Sequence, residues 1–141
     1  MKIIDYFRCN EKEIWNERIG CCDWRAAAFL SELLEKNSFD KVLGSGSLYI
    51  LQDKGNIVSF ATLTQRDCID DNSLFPWIGF VFTSPVYRGQ RCAGEVISYA
   101  CHEAEKQGYD FVYLATDHVG LYEKYGFVES DVTCMFQNRN A

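Results

Sequence analysis

The sequence predicts an α+β domain, with helices on both faces of a mixed, mainly antiparallel sheet that has a parallel strand pair at its centre. Two patterns support this prediction: a hairpin near the middle of the chain and a strand–helix–strand unit after it. The chain has 141 residues, the size of one typical domain, and it contains no repeat, low-complexity tract or linker. We therefore expect one domain over residues 1–141.

The first third of the chain predicts one short strand and two helices. The strand covers residues 3–7, and the helices cover residues 11–18 and 23–36. Asn37 is a plausible end for the second helix. Apolar residues recur in that helix at a spacing of three to four, which predicts a buried face made of Ala26, Ala27, Phe29, Leu30, Leu33 and Leu34.

The middle of the chain predicts an antiparallel hairpin. Residues 48–51 and 57–63 are rich in apolar and β-branched side chains, and the turn-forming residues 53–56 separate them. We expect this hairpin to pair with a third strand at residues 77–82.

The segment after residue 77 predicts two parallel strands joined by a helix. The strand at residues 111–115 is apolar throughout, which is typical of a strand buried on both faces. Gly108 ends the helix between the strands, and such a crossover is right-handed. The helix has one apolar stripe, formed by Ala93, Val96, Ile97, Ala100, Cys101 and Ala104.

The turn at residues 83–94 joins that strand to the helix and is suited to binding a pyrophosphate. The first amides of a helix lack internal partners and carry roughly half a positive charge. Gly89 and Gly94 allow a close approach to the backbone, and Arg88 and Arg91 add positive charge. The glycine spacing fits neither of the two common phosphate-loop motifs. A nucleotide-type cofactor is the first hypothesis.

Residues 88–93 resemble the acetyl-coenzyme A loop of the GNAT N-acetyltransferase superfamily: Arg or Gln, two residues, Gly, one residue, then Gly or Ala. Arg91 is the one mismatch, because the family usually has glycine there. It either keeps an ordinary backbone conformation or shifts the loop. Residues 120–127 resemble a second family motif, a tyrosine-bearing helix that ends in Gly-Phe. The resemblance extends over about residues 47–127.

The resemblance implies acetyl-CoA as the acyl donor and a sheet whose parallel strands splay apart. In this chain these strands would end near Thr83 and Thr116, and a backbone N–H near Phe82 would polarise the thioester carbonyl. The cofactor-binding residues implied are Val81, Phe82, Thr83, Arg88, Gly89, Gln90, Arg91, Cys92, Ala93 and Gly94.

Tyr122 matches the tyrosine that family members use to protonate the departing thiolate, so it is the candidate general acid. Its alternative role is packing beside the cofactor. The general base is open: Asp117 and His118 follow the last predicted strand, but a capping role suits them better. Cys92 as a nucleophile is disfavoured, because no histidine accompanies it in the sequence.

The formal net charge of −6 argues against nucleic acid as a partner and is compatible with a cationic acceptor. The aspartates at 67, 70 and 71 either steer an amine towards the site or form a solvated loop.

We expect a cytoplasmic protein without a membrane segment, because the sequence has no long apolar stretch and no signal peptide. The seven cysteines include no C-x-x-C pair. Reduced thiols are therefore expected, and no metal site.

The predicted function is an N-acetyltransferase in which a primary amine of a small molecule, or an exposed amino group, attacks acetyl-CoA directly. The segment after Phe127 is short, so the acceptor side is either open or completed by a second subunit in a homodimer. The alternatives are a non-catalytic acyl-CoA-binding module and an interaction protein with an accidental motif.

Overall fold

The computed structural model describes residues 1–66, 75–115, 128–129 and 135–138, and seven strands in these ranges form one sheet. The order in the sheet is β1-β2-β3-β4-β5-β7-β6. Strands β4 and β5 run parallel, and the other neighbouring pairs are antiparallel. The predicted fold class is confirmed. The strands are β1 (Lys2–Asp5), β2 (Gly46–Asp53), β3 (Asn56–Thr64), β4 (Trp77–Thr83), β5 (Val112–Ala115), β6 (Val128–Glu129) and β7 (Met135–Asn138).

Helices cover both faces of this sheet, as predicted. Three pack on one face and the fourth packs on the other. They are α1 (Lys12–Gly20), α2 (Arg25–Glu35), α3 (Phe39–Leu43) and α4 (Cys92–Lys106). None of the helices in the described residues has both the length and the apolar character needed to cross a bilayer.

Two details of the first third differ from the prediction. Strand β1 ends at Asp5, because the Asp5 carboxylate accepts the Phe7 N–H at 3.1 Å and starts a 3₁₀ turn over Tyr6–Arg8. Asn37 follows the end of α2 as expected, with a left-handed φ of +55°. Helix α3 comes directly after it, and its single turn is too short to show an apolar period.

The core has two layers, one on each face of the sheet. In the α4 layer, the buried face of α4 packs on Tyr49, Leu51, Val58, Ala61, Leu63, Ile78, Val112 and Leu114. In the α1/α2 layer, the other helices pack on Leu48, Ile50, Ile57, Phe60 and Phe82.

The predicted buried face of α2 is confirmed at four of its six positions. Ala27, Leu30, Leu33 and Leu34 are buried, but Ala26 is half-buried and Phe29 is 47% exposed. Its ring extends beyond the helix towards Phe80 of β4, with the ring centroids 6.4 Å apart. Contact with a strand residue, which periodicity does not report, therefore decides where this side chain lies.

Candidate active site

The turn between β4 and α4 has a run of open backbone donors. The Tyr87 N–H donates to the Ser84 carbonyl at 2.9 Å, and the Arg88 N–H donates to the Pro85 carbonyl at 3.3 Å. Further on, the Glu95 N–H donates to the Arg91 carbonyl at 3.3 Å. Between these bonds, the amides of residues 89–94 have no acceptor in the described part of the chain. The turn therefore presents several N–H groups to a ligand at the positive end of α4.

Two left-handed residues shape this turn. Gly89 has φ +81°, and a Cβ placed on it would meet no heavy atom within 4 Å, so the space beside it is open. Arg91 has φ +62°, which a side chain makes unfavourable by about 1 kcal/mol or more. The expectation that Arg91 keeps an ordinary conformation is wrong. It adopts the conformation that the family's glycine could take without strain.

The side chains of the turn are mostly exposed. Arg88 Nε donates to the Thr83 carbonyl at 3.1 Å, which holds the arginine against the end of β4. Gln90 Nε2 donates to the Val86 carbonyl at 3.3 Å, while the Arg91 side chain is exposed.

Cys92 and Gly94, at the start of α4, are buried. Burial raises the pKa of the Cys92 thiol, and the nearby Glu95 carboxylate raises it further. A raised pKa leaves less of the reactive thiolate, which argues further against Cys92 as a nucleophile.

Strand β4 has a β-bulge in its middle. Phe82 pairs with Phe60 of β3, but Gly79 pairs with Thr62, so an extra residue lies between them on β4. Phe80, within the bulge, has φ +48°, which is rare for an aromatic residue. The bulge directs the Phe80 side chain to the α1/α2 layer, and that of the next residue, Val81, to the α4 layer.

Strands β4 and β5 form the parallel pair of the sheet. Their described pairing consists of Trp77 with Tyr113 and Ile78 with Leu114. The continuation of β5 towards Thr116 lies outside the described residues, so the splay at the end of β4 stays a prediction.

Thr83 directs its backbone N–H away from its antiparallel neighbour, β3. The Ser84 N–H donates to the Val58 carbonyl at 2.8 Å. This bond makes Ser84 and Val58 a hydrogen-bonded pair. Such pairs alternate with non-hydrogen-bonded pairs in an antiparallel ladder, so the neighbouring pair, Thr83 with Ser59, is not hydrogen-bonded. The Thr83 N–H therefore points away from β3.

A cavity of about 590 Å³ lies on the α1/α2 side of the end of β4. It contains the carboxylates Glu17 and Asp23, and Phe82 forms part of its wall. The Arg18 guanidinium, which also lines it, donates to the Gly55 carbonyl and lies 5.1 Å from the centre of the Trp15 ring. The remaining lining residues are Ile14, Cys21, Cys22, Asn56, Ile57, Ser84, Pro85, Val86 and Tyr87.

This cavity was not predicted from the sequence. Glu17 and Asp23 lie far from β4 along the chain, and neither belongs to a motif. Only the packing of α1 beside the β2–β3 turn brings them to the end of β4.

A buried hydroxyl without a partner lies near the bulge. Thr62 is 1% exposed, and its Oγ1 makes no hydrogen bond to any residue that the structure describes. Side chains alternate along a strand, and Phe60 packs in the α1/α2 layer, so Thr62 faces the same side. Such a group usually binds an ordered water or a ligand.

Several predicted residues lie outside the described part of the chain. They are Asp67, Asp70, Asp71, Asp117, His118, Tyr122 and the rest of the motif at 120–127. The roles suggested for them remain predictions. Five of the seven cysteines are described, and all five are free thiols: Cys9, Cys21, Cys22, Cys92 and Cys101.

Comparison with known proteins extends the resemblance. YhbS, a GNAT family N-acetyltransferase from Escherichia coli in complex with CoA, has a TM-score of 0.70 at 16% identity, covering 99% of this chain and 81% of that chain. The yncA structure from Salmonella typhimurium, with its cofactor acetyl-CoA, has a TM-score of 0.60 at 15% identity, covering 100% and 94%. Glucosamine-6-phosphate N-acetyltransferase from Arabidopsis thaliana has a TM-score of 0.66 at 16% identity, covering 94% of both chains. At sequence identities this low, the similarity to these structures shows the fold alone.

No curated protein matches the sequence. The family model described as an acetyltransferase (GNAT) domain matches residues 16–129, which is most of the chain. The protein therefore belongs to the GNAT acetyltransferase family.

Proposed function

We propose that this protein is an N-acetyltransferase that transfers the acetyl group of acetyl-CoA to a primary amine by direct attack. One observation supports it above the others: the amides of residues 89–94 have no acceptor in the described part of the chain, and they follow directly after β4, a strand of the parallel pair. These amides would hold the diphosphate, and the predicted gap between β4 and β5 would admit the acyl-bearing arm. GNAT relatives of the same fold hold CoA or acetyl-CoA.

The turn would hold the diphosphate through its backbone. The open space beside Gly89 leaves room for phosphate oxygens against the N–H groups. Arg88 and Arg91 are exposed and form no ion pair within the described residues, so their charge is available to phosphate. Cys92, Ala93 and Gly94 would contribute backbone N–H groups.

The end of β4 would align the pantetheine arm. The Thr83 N–H, which points away from β3, would donate to an amide carbonyl in the predicted gap, and Val81 and Phe82 would offer main-chain groups beside it. Acetyl-CoA supplies an acetyl group activated as a thioester.

The chemistry needs one acid and one base. The neutral amine nitrogen forms a bond to the acetyl carbon, the carbon–sulfur bond breaks, and the nitrogen loses a proton. Tyr122 is proposed to protonate the thiolate, which needs little help because its solution pKa is near 8–9. Strand β4 carries no carboxylate, so water or Asp117 and His118 are the candidates for taking the amine proton.

A non-catalytic acyl-CoA-binding module is the second candidate, and Tyr122→Phe separates the two. For an enzyme, we expect kcat to fall about ten- to a hundredfold, with acetyl-CoA affinity within about twofold of wild type. Free-thiol release measures turnover, and isothermal titration with acetyl-CoA measures affinity. The control is Tyr99→Phe, since Tyr99 lies on α4.

The measurements of binding and turnover distinguish an enzyme from a sensor. Binding of acetyl-CoA without turnover across a library of primary amines would favour the sensor. Absence of acetyl-CoA binding would reject both candidates.

A further inference from the structure

Four aromatic side chains form a continuous surface beside the predicted gap, on the side of the sheet that faces α1 and α2. We refer to Trp24, Phe29, Phe80 and Phe82 as the acceptor-side aromatic surface. The Trp24 ring stacks on Phe82 at a centroid distance of 5.6 Å and an interplanar angle of 15°. Trp24 also meets Phe80 edge-on at 6.4 Å, and Phe80 stacks on Phe29. Two of the rings belong to β4, so the surface reaches the predicted gap.

This surface depends on a strained residue. The left-handed conformation of Phe80 is unfavourable for an aromatic residue, and the surrounding structure has to hold it in place. The bulge brings Phe80 into contact with Trp24 and Phe29, where its ring stays half-buried. Strain of this kind concentrates at binding and catalytic sites.

The surface is open to solvent and lies next to negative charge. Phe29 is 47% exposed, and Trp24 is half-buried. Phe82 belongs both to this surface and to the wall of the 590 Å³ cavity, which contains Glu17 and Asp23. Arg18 also lines the cavity and offsets one of these two charges, so the charged lining keeps a net negative charge. A ligand with a flat apolar body and a cationic amine matches both parts of this site.

We propose that the acceptor is a primary amine carried on an aromatic ring or a similar flat apolar group. The ring packs on Trp24, Phe29 and Phe80, which places the amino group at the end of β4. Glu17 and Asp23 attract the ammonium form before it loses its proton. This inference rests on the proposed function and adds the acceptor class to it.

The test compares two amines that share an aminoethyl group, 2-phenylethylamine and 2-aminoethanol. We expect kcat/KM for acetyl transfer to favour the phenyl compound by about tenfold or more. Phe29→Ala should lower this preference several-fold with acetyl-CoA affinity unchanged, and Phe29→Tyr should restore most of it. Phe29 is exposed, so its removal leaves the fold intact. The matched control is Phe7→Ala, since Phe7 is a 36% exposed aromatic residue that packs against Phe39 instead.

Failure of this inference differs from failure of the proposed function. If acetyl-CoA binds and 2-aminoethanol reacts at least as fast, the acceptor class is wrong and the function stands. A preference for the phenyl compound that survives Phe29→Ala also overturns the assignment of the surface. If acetyl-CoA does not bind, the proposed function is wrong, and a titration of the protein with 2-phenylethylamine still tests the surface. Dimer dissociation caused by Phe29→Ala in sedimentation would show instead that a second copy covers these rings.

Discussion

The two sides of strand β4 differ in what they offer a ligand. On the α4 side, small buried side chains such as Ala100 and Ala104 pack closely, and the adjoining turn presents main-chain donors. On the α1/α2 side, large rings and carboxylates surround an open cavity. Backbone donors suit a ligand common to a whole family, whereas side chains can vary from one member to the next. Under the proposed function, the main-chain side would bind the donor, and the side-chain surface particular to this chain would bind the acceptor.

The largest expected effect is a difference in thiol reactivity between the two sides. Burial raises the pKa of Cys101 in the α4 layer from 9.0 to about 12, whereas Cys21, which lines the cavity, is exposed. The thiolate is the reactive form, so at pH 8 Cys101 should react about a thousandfold more slowly than an ordinary thiol. Its rate should rise about tenfold per pH unit between pH 8 and 10. Timed iodoacetamide pulses followed by peptide mass spectrometry measure both rates.

Labelling in urea is the control for this experiment, since both cysteines should then react at similar rates. If Cys101 reacts as fast as Cys21 in the folded protein, the α4 layer is not closed and the contrast between the two sides fails.

The second prediction concerns a substitution that changes only the turn between β4 and α4. Gly89→Val places a β-branched residue at φ +81°, so the turn must rearrange and its amides must turn away. We expect acetyl-CoA affinity to fall roughly ten- to a hundredfold, which corresponds to the loss of one or two charge-assisted hydrogen bonds. Titration calorimetry measures the affinity.

Gly108→Val is a closely matched control. Gly108 also has a left-handed φ, +92°, and open space at its Cβ position, but it lies at the far end of α4. Both variants should lose similar stability, and only Gly89→Val should lose affinity. Equal affinity in the two variants would rule out the turn as the diphosphate site.

The third prediction separates charge from backbone strain at Arg91. Arg91→Gly relieves the left-handed strain and should raise the free energy of unfolding by up to about 1 kcal/mol. Arg91→Ala keeps the strain and removes the charge. We expect both variants to bind acetyl-CoA a few-fold more weakly, because an exposed charge is partly screened. Unchanged affinity in both would show that Arg91 does not contact the phosphates.

The smallest expected effect concerns the buried hydroxyl on the acceptor side. Thr62→Val replaces an unpartnered hydroxyl with a methyl group of similar size, so the free energy of unfolding should rise by about 1 kcal/mol. Thr64→Val, on the same strand, removes the hydrogen bond from Thr64 Oγ1 to the Arg66 carbonyl and should lower the free energy of unfolding by a similar amount. Urea denaturation measures both. A loss of stability in Thr62→Val would mean that this hydroxyl has a partner, such as a bound water.

The sequence was most informative where structure depends on local rules. The hairpin between β2 and β3 and helix α4 were predicted because turn residues and apolar periods mark such elements directly. The donor turn was found because its glycine and arginine spacing matches a family pattern. Even there, the left-handed conformation of Arg91 was not foreseen, because spacing does not report φ.

The acceptor side could not be predicted, because it depends on contacts between distant segments. The bulge at Phe80 leaves no distinct pattern in an apolar strand, and periodicity placed Phe29 in the core. The cavity brings Glu17 and Asp23 to the end of β4, although Thr83 lies 66 and 60 residues further along the chain. These residues come together only when α1 and α2 pack on the finished sheet.

The parallel junction between β4 and β5 also has a mechanical consequence. The strands from β1 to β4 form one antiparallel ribbon and those from β5 to β7 form another, and β4 with β5 joins the two ribbons. Helix α4 bridges them on one side. Parallel pairs are slightly less stable per residue than antiparallel pairs. Under tension applied to the ends of the chain, this junction should therefore yield before either ribbon does.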